Sequence, residues 1–156
     1  MKTLFEAEDA IFQFDEDNTT FQFGWKGTVG LASMQKIMRM AIAIAKEHEN
    51  VHWLVDRRSL EGYDGECRIW IKNDFVNKEG KDMILKIDKI AVLESESPMA
   101  TIASNVLAEA IKKVNPSIES QKFDYTQPAS NWLAGIVVEE PVVEKKSKLR
   151  KLFGKK

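Results

Sequence analysis

Polar and apolar positions alternate through the first 25 residues of the chain. In "TLFEAED", "AIFQFDED" and "TTFQFGW" apolar side chains recur at every second position, and acidic or Asp-Asn clusters separate the runs. That period predicts three strands of an antiparallel meander, with Ile11 or Phe12 to Phe14, then Phe21, Phe23 and Trp25, along one face. The period then changes. In "GLASMQKIMRMAIAIAKEHEN" the residues Leu31, Met34, Met38, Ala41, Ile42 and Ala45 recur at helical spacing, and Asn50 can end the helix.

From His52 the pattern changes again. "VHWLVD" is a short, continuous apolar run, the mark of a strand covered on both faces. In "ECRIWIKNDFVN" Cys67, Trp70, Ile71 and Phe75 share one helical face, and Gly80 marks the stop. "DKIAVLES" predicts another buried strand. Ser97 as N-cap and Pro98 at the first helical position then open a helix with Met99, Ile102, Ala103, Val106, Leu107, Ala110, Ile111 and Val114 on one face. "NPS" ends it. A strand "IESQKFD" and a short helix "QPASNWLA", with Trp132 and Leu133 inward, follow before Gly135.

Three strands, a helix and then β-α units predict a single α/β domain with a mixed sheet. Its N-terminal strands are antiparallel, its later strands are parallel with right-handed crossovers, and about four helices pack on it. The domain is expected over 1–135, with a flexible basic tail over 136–156. Ligands usually meet such sheets at the carboxyl ends of their strands. Asp56, Arg57 and Arg58 are expected at one such end, Glu94 to Ser97 at a second, and Asp124 and Tyr125 at a third.

Composition narrows the class. With 44% hydrophobic and 30% charged residues in 156, the chain has material for a sizeable core. From Glu139 onward seven Lys or Arg stand against three Glu, giving the tail +4 and leaving −5 for the rest of a chain whose total is −1. An acidic body is not the footprint of a nucleic-acid binder. Cys67 is the sole cysteine, so no internal disulfide forms, which suits a cytoplasmic location. The acidic start lacks the long apolar segment of an export signal, and the run around "MAIAIA" is too short to span a bilayer.

The stretch "WLVDRRSLEGYDGE", with "KIAVL" and "KFDYTQPASNWL" in that order, resembles the SpoIIAA-like branch of the STAS superfamily, the group that includes anti-sigma-factor antagonists. The resemblance spans Thr3 to Leu133. It implies a non-enzymatic regulatory or protein-interaction module, and more loosely, for some relatives, a binder of apolar small molecules. Phospho-regulated antagonists carry a serine in an Asp-Ser-Ser-Gly type loop where this chain reads "YDGE", so the resemblance does not carry a phosphorylation switch to this chain.

Candidate chemistry follows from residue types. The guanidinium groups of Arg57 and Arg58 offer planar donor forks for a partner's carboxylate or phosphate, against a reading in which they pair with Asp56, Glu61 or Asp64. Ser95 and Ser97 precede a helix N-terminus, where an anion can bind, against a role in capping. Asp56, Arg57, Arg58, Tyr63, Ser95 and Ser97 are the candidate partner-binding edge. Met34, Met38, Trp53 and Trp70 are the candidate lining of an apolar ligand pocket.

His48 and His52 are four residues apart but are expected on different elements, so no metal site is predicted. Cys67 at a helix start is a candidate nucleophile, but its place in the Trp70 stripe favours a buried, inert thiol. In the tail, Lys145, Lys146, Lys148, Arg150 and Lys151 flank Leu149, Leu152 and Phe153. Such a segment is a candidate for weak anionic-membrane contact, each basic residue adding about 1 kcal/mol near the surface, against a reading as a solubilising tail.

No phosphate loop, nucleophile elbow or triad pattern is present, and no cofactor is expected. The expected function is therefore a regulatory module that engages a protein partner; the alternative is a carrier of an apolar small molecule or lipid.

Overall fold

A computed structural model describes residues 1–137. The meander forms where the alternation places it: β1 (Lys2–Glu6), β2 (Ala10–Asp15) and β3 (Thr20–Val29) pair antiparallel. Phe12, Phe21, Phe23 and Trp25 are buried on one face, and Phe12 stacks on Phe23 at 5.3 Å between ring centroids. Helix α1 (Leu31–Ala45) then lays Met34, Ile37, Met38, Ala41 and Ala45 against that face. Its start is tied to the β1–β2 turn. Asp9 accepts hydrogen bonds from the Gly30 N–H at 2.9 Å and the Ser33 hydroxyl at 2.6 Å.

The six strands lie in the order in which they occur in the chain. β4 (Val51–Tyr63) pairs parallel with β3, β5 (Ile87–Leu93) with β4, and β6 (Glu119–Phe123) with β5. Helix α2 (Gly65–Trp70) follows β4, capped by Asp64, whose carboxylate accepts the Cys67 N–H at 2.8 Å. The chain continues through a π-helical stretch (Ile71–Glu79) and the short α3 (Lys81–Ile84) before β5. Helix α4 (Pro98–Val114) links β5 to β6, and α5 (Thr126–Leu133) closes the described chain.

Two layers of unequal size cover the sheet. The main core contains the meander aromatics with residues of α1, α2, the π-helical stretch and α4. A smaller core joins Leu54, Ala91 and Leu93 to Ala129 and Leu133 of α5, with Phe123 and Trp132 packed against it. The architecture is thus a single α/β domain with a six-stranded mixed sheet and five α-helices. α3, four residues long, is too short to leave a periodic signal in the sequence.

Three expectations are corrected. The central strand does not end at Asp56 but runs on to Tyr63, hydrogen-bonded to β3 through two register shifts. Gly24 pairs with Asp56 and Lys26 with Ser59, so two residues of β4 oppose one of β3; Glu61 is the second extra residue. Each bulge adds a residue, so the buried positions Arg57, Leu60 and Tyr63 recur every third residue instead of every second. Gly27, with φ of +60°, supplies the backbone that the second shift needs.

The helix after Trp70 is not uniformly α. The Gly80 N–H donates to the Phe75 carbonyl five residues back, at 2.7 Å. The apolar stripe of α4 is wider than its buried face: Ala100, Ser104 and Ile111 are buried, whereas Met99, Ile102 and Val106 are 71%, 61% and 65% exposed.

Gly80 sits against Phe75, which is buried beside Trp70 at 5.2 Å between centroids. A Cβ at this position would overlap the Phe75 ring. Gly80→Ala is therefore expected to lower stability by about 1–3 kcal/mol, the cost of overpacking a closed site, as read from the denaturant midpoint at unchanged slope.

Candidate functional site

The bulged half of β4 decides where the charged residues go. Arg57 turns toward the main core and is 5% exposed, while Asp56 and Arg58 turn toward α5. The adjacent arginines therefore do not form one basic fork. Arg58 pairs with Asp56 at 2.9 Å and reaches the Thr126 hydroxyl at 3.5 Å. Arg57 donates from Nη2 to Glu94 at 3.0 Å, and Glu94 also pairs with Lys122 at 2.8 Å.

The three strand ends do lie together. Asp56 is level with Leu93, and Leu93 with Phe123. The loop after β5 is tied down by Ser95, whose hydroxyl donates to the Leu60 carbonyl and accepts the Ser97 N–H, each at 3.0 Å. Ser97 caps α4 by accepting the Ala100 N–H at 3.3 Å. Both serines are therefore engaged in loop and helix-start bonds. Tyr63, expected on the edge, is 8% exposed and faces inward, because the two bulges return it to the core face.

On that inner face a cavity of about 230 Å³ lies between the sheet and α4. Phe23, Trp25, Met34, Met38 and Trp53 line its buried part, and Val55, Ile90, Val92, Leu107, Ile111 and Ile118 extend the apolar wall. Its exposed lining residues belong to α4 (Asn105, Ala108, Lys112) and β6 (Ser120, Gln121, Lys122), which places the mouth between those elements. Of the four pocket residues expected from sequence, Met34, Met38 and Trp53 meet at this cavity. Trp70 does not: it packs on Phe75 and under Arg39, 5.8 Å from the ring centroid.

Arg57, Tyr63 and Ser104 also line the cavity, a feature that sequence reading assigned to an outer edge or missed. Arg57 Nε, Ser104 Oγ and Trp53 Nε1 are buried without a hydrogen-bond partner among the described residues. Tyr63 Oη lies near Ser104 and the Arg57 charge, and burial pushes its ionisation upward. Buried polar groups normally find partners, so an orphaned Arg57 Nε on β4 facing a Ser104–Tyr63 hydroxyl pair across the cavity sets this region apart. The signal for Ser104 in sequence was a polar residue inside the apolar stripe of α4.

Other candidates fall elsewhere. His48 follows α1 and His52 lies in β4, and no cluster of three metal-ligating side chains occurs among the described residues. Cys67 is fully buried; burial, with the Asp64 and Asp9 carboxylates nearby, pushes its thiol up to about 12. The basic segment Lys145 to Phe153 lies outside the described residues, and no described helix is long and apolar enough to cross a membrane.

Burial pushes the carboxyls of Asp56 and Glu94 upward, but Arg58 outweighs it for the first, and Lys122 with Arg57 for the second. Both are held below the usual carboxylate values. Their folded values lie below their unfolded ones, so their contribution is complete above about pH 5 and is lost as pH falls through the folded values. Unfolding midpoints measured from pH 7 to pH 3 should fall over the acid end. Glu94→Gln should flatten that fall and cost about 1–3 kcal/mol at pH 7. Cys67 in the native chain should resist a thiol-specific reagent at pH 8 and react at once in denaturant.

No protein-family model matches the chain, and no curated protein matches it. Among solved structures, it is similar to the crystal structure of an uncharacterized protein from the DUF3478 family with a SpoIIAA-like fold, from Shewanella loihica PV-4. The two are 16% identical with a TM-score of 0.57, and the match covers 85% of this chain and 98% of that one. With the element order described above, this likeness shows that the chain has a SpoIIAA-like fold.

Proposed function

We propose that this chain is a non-enzymatic binding module whose cavity between the sheet and α4 takes an apolar small molecule. The observation that carries the reading is the cavity itself, about 230 Å³ with aromatic, Met and aliphatic walls and an opening at the sheet edge. A cavity of ~150 Å³ lined by apolar side chains accepts benzene, so this space suits a guest of about nine non-hydrogen atoms.

The partner-binding edge expected from sequence is less well supported, because Arg57 and Tyr63 are buried. Asp56, Arg58 and the 70% exposed Tyr125 remain near the surface at the strand ends. Helix α4 joins the two ideas physically. One of its faces walls the cavity and another carries the exposed Met99, Ile102 and Val106, so occupancy of the cavity and the outer surface share one element.

Ala108 is an exposed residue at the mouth, so a large side chain there plugs the opening without repacking the core. The wild-type chain should bind an apolar fluorescent probe or a medium-chain alcohol, and Ala108→Trp should weaken that binding about tenfold or more with an unchanged unfolding midpoint. A tenfold loss corresponds to about 1.4 kcal/mol. Equal binding by the two proteins, or none by the wild type, would remove the reading.

A further inference from the structure

We infer that the guest is an amphipathic monocarboxylate, with its apolar part against Phe23, Met34 and Met38 and its carboxylate at Arg57 and Ser104. The inference rests on the cavity binding an apolar molecule at all and adds the chemistry of its head group. An apolar guest alone would leave Arg57 Nε without a partner, at a desolvation cost, and the Ser104 hydroxyl with only Tyr63 Oη beside it. Both groups can donate a hydrogen bond to a guest. What they lack is an acceptor, and a carboxylate supplies two acceptor oxygens and matches the planar guanidinium.

The charges point the same way. Arg57, Lys112 and Lys122 line the cavity, and no Asp or Glu does. Glu94 pairs with both Arg57 and Lys122 and so leaves that trio with one net positive charge. Lys112 is held at the rim by its bond to the Ile118 carbonyl at 2.7 Å. Of the two net positive charges, one stands at the rim on Lys112 and the other beside the Arg57 guanidinium, which suits a single carboxylate there. The cavity lining includes none of the first turn of α4 and no glycine, the features that cradle a phosphate's several oxygens.

Arg57 is 5% exposed and lies between the strand-end loop and the cavity. Glu94 satisfies one of its nitrogens from the loop side. The guest's carboxylate takes the other side. Ser104, one residue before Asn105 at the exposed lining, stands across from the sheet on α4, so the head group bridges helix and strand.

The test is isothermal titration of the full chain with octanoate and with 1-octanol, repeated on Ser104→Ala and Arg57→Met after each is checked for folding. Octanol is the more apolar probe, so simple hydrophobic filling favours it. The expected result is octanoate binding about tenfold tighter than octanol to the wild type, because a charge-assisted hydrogen bond is worth about 1.5–3 kcal/mol. Ser104→Ala should weaken octanoate several-fold and octanol less, and Arg57→Met should bring the two probes level.

If Arg57→Met fails to fold, the wild-type ratio and Ser104→Ala decide the matter. Octanol binding as tightly as octanoate would overturn the head-group assignment and leave the apolar cavity standing. Binding of neither probe would overturn the proposed function itself.

Discussion

The parallel pairing of β3 with β4 is the constraint on which the remaining architecture depends. It joins an antiparallel meander to three parallel strands, and a parallel neighbour requires a crossover, which α1 provides. Once β4 is in place, Trp53 meets Phe23 edge-on at 4.8 Å, and the meander and the later strands share one aromatic core. The pairing is also imperfect in a useful way. Two bulges lengthen β4 beyond the reach of β5, so Arg57, Leu60 and Tyr63 face inward above the level at which β5 and β6 stop.

A permanently charged guanidinium inside a domain must be matched, and the match organises the strand-end loops. Glu94 reaches Arg57 from the end of β5 and is itself held by Lys122 of β6. Ser95 pins the same loop to the Leu60 carbonyl, so the loop that starts α4 hangs on the bulged half of β4 by an ion pair and a hydrogen bond. A buried pair contributes little net stability over an apolar substitute, because desolvation offsets the attraction. Its value here is geometric: with the Ser95 bond it ties the loop that starts α4 to the bulged half of β4.

The sequence made the frame readable because most of its elements carry one clean period. The alternation in "AIFQFD" and "TFQFGW" and the helical spacing of Met34, Met38 and Ala41 each fall on the face that the structure buries. Legibility failed where two periods compete. Arg57, Leu60 and Tyr63 recur at intervals of three, which belongs to neither a regular strand nor a helix stripe, and polar residues among them looked like a turn. The α4 stripe failed in another way, since Met99, Ile102 and Val106 match helical spacing yet face solvent. Periodicity reports an apolar face, not what covers it. Pocket residues were legible where they were also core residues, as with Met34, Met38 and Trp53; the inward turn of Tyr63 depends on register, which a single sequence does not reveal.

The position of the cavity mouth separates two clocks that are often one. β6 is an edge strand with Glu119 to Lys122 exposed, and it frames the opening with the outer half of α4. The one short ladder at the margin of the sheet borders the mouth, and the aromatic wall around Phe23 and Trp53 lies at the buried end. Local opening of an edge lies at the low end of the free-energy range across a fold, well below global unfolding. On the proposed function, guest exchange is expected to follow the fraying of β6 and the adjoining turn of α4, whereas the lifetime of the fold follows the meander core.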